Sequence, residues 1–177
     1  VRASVLAGRS LPDDQSELET FLDETLPSPE QPTTPTEGRG LVIPHIDFLR
    51  GKETYGNLLP YLEAIDSDVE RVIVLGISHY TCPVPFALTD KPFESPLGTI
   101  ANDEAGVETL EEILPYERSE GEIAHRLEHS IEIPLLLLQY VRPEFDFEIV
   151  PVICSYRSED EHSELIRTVS ERLESML

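Results

Sequence analysis

Two apolar runs in this chain end on a histidine: Leu41-Val42-Ile43-Pro44-His45-Ile46-Asp47 and Arg71-Val72-Ile73-Val74-Leu75-Gly76-Ile77-Ser78-His79-Tyr80. Imidazole can ligate a transition metal or move a proton near neutral pH. A β-branched run that stops at Pro or Gly reads as a buried parallel strand, and open α/β sheets bind ligands beyond the carboxyl ends of such strands. Both runs predict strands, with His45 and His79 on one rim. One such histidine often does no more than end a strand, whereas two in matching places point to a site. Asp47, two residues after His45, can orient an imidazole, ligate a metal or cap the next turn, and spacing leaves all three open.

His125-Arg126-Leu127-Glu128-His129 fits the H-x-x-E-H pattern of inverted zinc proteases, which on a helix sets two imidazoles on one face. The pattern is short, and no later glutamate stands out as a third ligand. Pro134 suits the first turn of a helix beginning near Ser130 better than the middle of a longer one. Read that way, Ser130 caps a helix whose free N–H groups favour an anion, with ordinary capping beside a surface histidine as the plain alternative. His162, among Glu159, Asp160, Glu161 and Glu164, reads as a solvated helix start. A phosphate loop and a Gly-x-Ser-x-Gly elbow are both missing from the sequence.

The elements that must position these residues follow from periodicity. Leu18, Phe21, Leu22 and Leu26 predict an amphipathic helix over Asp13 to Leu26, ended by Pro27. A Pro-rich stretch, 27–40, reads as a loop within one domain spanning 1–177. A loop at Arg50-Gly51-Lys52 leads to a helix carrying Tyr55, Leu58, Leu59, Leu62 and Ile65, and then to the second histidine run. Pro85 to Thr89 suits a short strand, Pro92 to Gly98 a turn-rich loop, and Asn102 or Asp103 caps a helix reaching Leu114. A helix from Ser130 to Val141, a strand from Phe147 to Ile153 and a helix from Glu159 onward complete the chain. Alternating strands and helices predict an α/β fold, a mostly parallel sheet with helices on both faces.

Composition narrows the function classes. The 177 residues are 40% apolar, enough for a core, and no apolar stretch is long enough to span a bilayer. The opening residues lack the apolar region of a signal peptide, so a cytoplasmic location is expected. Thirty-five acidic residues against thirteen Lys and Arg give a formal charge of −22, which disfavours nucleic acid and anionic membranes as partners. Such a surface suits a salt-rich cytoplasm or an arginine-favouring genome. Cys82 and Cys154 are too few for a disulfide scaffold and are expected as buried thiols.

Four blocks in order carry a resemblance: Pro44-His45; Gly76-Ile77-Ser78-His79; Phe93-Glu94-Ser95-Pro96-Leu97-Gly98; and Glu128-His129-Ser130-Ile131-Glu132. With Leu6-Ala7-Gly8-Arg9-Ser10 near the start and Ile149-Val150-Pro151-Val152 late in the chain, the sequence resembles the Memo family. In bacteria and archaea this is the family of AmmeMemoRadiSam system protein B. The resemblance implies a fold similar to class III extradiol dioxygenases, with non-haem iron at the strand ends. It implies that His45 and His79 are metal ligands and that His129 lines the same pocket and moves protons in catalysis. Iron(II) is the divalent metal so implied, and imidazoles suit copper or zinc as well. The family's chain continues past Leu177 into an Asp and His motif and a later cysteine or carboxylate ligand, which Cys154 does not match. The expectation is therefore a chain lacking the family's C-terminal part, as a fragment or a shortened member, with an incomplete or empty metal site.

Two functions follow from the resemblance. One is a dioxygenase-like oxidoreductase, or a redox partner of a radical SAM protein in the same system. The other is a non-catalytic adaptor that binds a peptide or a small aromatic or anionic ligand, because Memo relatives include a phosphotyrosine-binding adaptor. Arg50, Lys52 and Arg126 are the anion partners available to that second function.

Overall fold

The computed structural model describes residues 1–28, 38–155 and 159–177. The Pro-rich stretch expected as a loop falls mostly outside them. In chain order the elements are α1 (Gln15–Thr25), α2 (Phe48–Glu63), β1 (Arg71–Ile77), β2 (Phe86–Leu88), β3 (Phe93–Ser95), β4 (Gly98–Ile100), α3 (Glu104–Glu111), α4 (Arg118–Gly121), a 3-10 turn over Glu122–Arg126, α5 (Glu132–Val141), β5 (Glu148–Cys154) and α6 (Glu159–Met176).

β5 is the spine. Its residues alternate between two apolar layers: Ile149 and Ile153 join Leu18, Leu22, Tyr55 and Leu136 from α1, α2 and α5. Val150 and Val152 join Leu88, Val107 and Leu110, with Leu173 of α6 packed alongside. Burial on both faces explains the unbroken apolar run, and helices cover both faces as expected. Asp103 caps α3 by accepting the Gly106 N–H at 2.9 Å.

The sheet is mixed, where a mostly parallel one was expected. β1 runs parallel to β5, Arg71 opposite Glu148 and Ile77 opposite Cys154, while β2 lies antiparallel on the other side of β5. The cause is the connection after β1: residues 78–85 contain no crossover helix, and a link that short returns a strand only in the opposite sense. Among the described residues β1 is an edge strand, with Leu75 56% and Ile77 50% exposed.

Three further expectations are corrected. The run Leu41 to Ile46 is not a strand; it has no ladder partner among the described residues, and Val42 is 92% exposed. Gly51 lies inside α2 rather than in a loop, and it is packing rather than a turn that requires glycine there: a Cβ would sit 2.6 Å from the Tyr55 ring and 2.8 Å from Ile46. The stretch expected as a turn-rich loop, 92–98, contributes β3 to a hairpin with β4, Phe93 opposite Ile100, both buried. Gly98, at φ +127°, provides the backbone geometry that the hairpin needs there.

Candidate metal centre

His45 comes from the extended segment just before α2. Asp47 caps that helix, its Oδ1 accepting the N–H of Leu49 at 3.0 Å and of Arg50 at 3.3 Å, which decides between its three open roles. The buried Tyr55 hydroxyl donates to the carbonyls of Pro44 at 3.1 Å and Ile46 at 2.6 Å. These bonds straddle His45 and fix its direction without a strand.

His79 follows the carboxyl end of β1, and His129 lies in the turn before α5. The three rings gather at that rim. Ring centroids are 4.9 Å apart for His45 and His79, 4.7 Å for His79 and His129, and 5.7 Å for His45 and His129. The Nε2 atoms of His45 and His79 are 3.2 Å apart. Two imidazole nitrogens bound to one tetrahedral ion at about 2.0–2.1 Å are separated by about 3.3 Å, so the pair has the spacing of shared ligands. Burial lowers the pKa of His45, and the neighbouring His79 and His129 lower it further against the pull of Glu128, which favours the neutral ring. A neutral ring is the form that ligates a metal. The residues present therefore fit a divalent ion.

Ser130 fastens the two halves of the site. Its hydroxyl accepts the Ile77 N–H at 3.0 Å and donates to the Ile77 carbonyl at 2.9 Å. It was expected to cap α5; instead it extends the hydrogen bonding of β1 sideways into the turn that bears His129. Gly76 permits the approach, since a Cβ there would lie 2.6 Å from both Ser130 Oγ and Ile131. The side chain of Glu128 is 2% exposed and lies between His79 and His129. One ligand atom from each of His79, Glu128 and His129 falls within 4.8 Å of the others.

The remaining candidates lie elsewhere. His125, paired with His129 by the protease-like pattern, is 3% exposed, sits in a 3-10 turn and bonds through Nε2 to the Ala87 carbonyl at 2.9 Å. The helix that pattern requires does not form. Cys82 is buried, its thiol donating to the Val84 carbonyl at 3.2 Å. Cys154 ends β5, and burial pushes its thiol up to about 11, where it stays protonated. Arg50, Lys52 and Arg126 are exposed and form no ion pair among the described residues.

Sequence reasoning missed the buried pair Arg2 and Glu132, 2.5 Å apart. Glu132 also accepts from the Ser4 hydroxyl and from the N–H groups of Val5 at 2.9 Å and Leu6 at 3.1 Å. Arg2 reaches the backbone carbonyls of His125 and Glu128. The last residue of the Glu128–Glu132 block thus anchors the start of the chain rather than a ligand. Partners so far apart in sequence leave no local pattern that could reveal them.

Fold and site together define an α/β protein with a histidine cluster beyond the carboxyl end of β1, one of its two parallel strands. The chain belongs to the Memo-like protein family, whose model matches residues 2–176. It is similar to a MEMO1 family protein of Aquifex aeolicus, 30% identical over 95% of this chain and 43% of the relative. A MEMO1 family protein of Thermus thermophilus is 33% identical over 86% of this chain and 45% of its own length. One from Ignicoccus hospitalis is 25% identical over 99% of this chain and 64% of its own. The chain thus spans about half the length of the first two curated relatives.

Proposed function

We propose that the imidazole cluster is a mononuclear metal centre, with His45 and His79 as ligands through Nε2 and His129 beside them. The observation that carries this is the 3.2 Å approach of two imidazole Nε2 atoms at a strand-end rim. Iron(II) is the ion we assign first, with copper and zinc as the alternatives that imidazole ligands also suit. Bound iron(II) would supply Lewis acidity and one-electron chemistry with dioxygen, so the reaction class is a dioxygenase-like oxidation, carried out in a system that includes a radical SAM protein. His129, whose ring centroid lies 4.7 Å from that of His79 and 5.7 Å from that of His45, would accept a proton from a substrate hydroxyl and return it. The adaptor function has less support, since it rests on three exposed cations, Arg50, Lys52 and Arg126, in a chain of net charge −22.

The test is to load the anaerobically purified chain with ferrous ion and offer catechols with dioxygen. About one ion per chain, with oxygen uptake that the His129→Ala variant loses, is the expected result. An iron-free protein indifferent to catechols would overturn the proposal.

A further inference from the structure

The buried carboxylate of Glu128 has no role in the ligand set proposed above, yet four donors converge on it. Oε2 accepts the His79 N–H at 2.8 Å. Oε1 receives three groups: His79 Nδ1 at 2.9 Å, the His129 N–H at 2.8 Å and the Ser130 N–H at 2.9 Å. The backbone carbonyl of the same residue is taken by the Arg2 guanidinium, so the turn is gripped from both sides. A carboxylate with this many fixed donors has little lone-pair capacity left for an ion, and binding one would strip N–H groups that have no other acceptor among the described residues.

We infer that Glu128 is a positioning residue and not a ligand: it holds His79 in the Nδ1–H form and ties the His79 and His129 loops into one unit. A carboxylate can only accept, so the proton of a neutral His79 ring must sit on Nδ1. The Nε2 lone pair then points at His45, whose Nε2–H donates to it in the metal-free protein. This is the carboxylate–histidine arrangement that fixes tautomer and ring direction around metal sites. By bonding the backbone of residues 79, 129 and 130 as well, one side chain sets the spacing between rings from two separate loops. The tautomer assignment stands on hydrogen bonding alone, whereas its effect on affinity rests on the metal-centre proposal.

The test is nitrogen NMR of the histidine side chains in the metal-free full chain, together with cobalt(II) titration, for the natural protein and for Glu128→Gln. In the natural protein His79 should be a single Nδ1–H tautomer. In Glu128→Gln, with cooperative thermal unfolding retained, the tautomers should mix, and cobalt(II) affinity should fall by about tenfold or more. An Nε2–H tautomer in the natural protein overturns the inference without any variant, so a variant that fails to fold does not protect it. A folded Glu128→Gln chain with unchanged tautomer and cobalt(II) affinity within about twofold overturns it equally. If the natural protein binds no cobalt(II) but shows the Nδ1–H form, the metal-centre proposal fails while the assignment of Glu128 to His79 stands.

Discussion

His125 shows how little a histidine's presence in a motif says about its task. Burial pushes its pKa down to about 4, the Arg2 charge helping, against opposing pulls from the Ala87 carbonyl, Glu122 and Glu128. The folded chain therefore keeps this ring neutral while the unfolded chain protonates it near 6.5. Stability linked to His125 is complete above about pH 6.5 and is lost as pH falls from there toward about 4. The loss is on the order of 3 kcal/mol across that window. Urea unfolding at neutral pH and at pH 4.5, compared between the natural chain and His125→Gln, should show a shallower decline in the variant. Equal declines would mean that the ring is protonated in the folded state.

The site depends on how closely β1 approaches the turn before α5. Gly76→Ala would force a methyl group against Ser130 Oγ and Ile131, each 2.6 Å from the ideal Cβ position. We expect a destabilisation of about 1–3 kcal/mol, read by thermal denaturation. Metal affinity should also weaken, since Ser130 links Ile77 to the His129 turn. β5 was legible in the sequence because residues 149–153 are all apolar and are buried on both faces. α1 was legible from the spacing of Leu18, Phe21, Leu22 and Leu26, and α3 from its two cap candidates, Asn102 and Asp103, of which Asp103 is the cap. The first histidine run was misread because an apolar β-branched segment forms a strand only where a neighbour completes the ladder. The site's histidines could be picked out by type and order. Glu128 and Ser130 could not be assigned their roles, because their partners lie 49 and 53 residues away and nothing local marks the contacts.

At the level of the whole molecule, 35 carboxylates against 13 Lys and Arg leave a charge of −22. Charge of one sign over a small chain repels itself, and the repulsion is screened as the Debye length falls from about 10 Å at 0.1 M salt to about 3 Å at 1 M. The melting temperature should therefore rise with sodium chloride over that range, and a flat or falling curve would show that attractive ion pairs outweigh the net charge. No helix among the described residues is long and apolar enough to cross a membrane. The open edge of β1 and the exposed Leu75 and Ile77 lie beside the rim that carries His79. The chain matches less than half the length of its Aquifex and Thermus relatives, and the imidazoles of the proposed metal centre are gathered within it. The most direct measurement is anaerobic ferrous-ion titration by calorimetry, comparing the natural chain with the His45→Ala, His79→Ala double variant. Near-stoichiometric binding that the double variant loses is the expected result, and weak binding indifferent to both substitutions would overturn the metal centre.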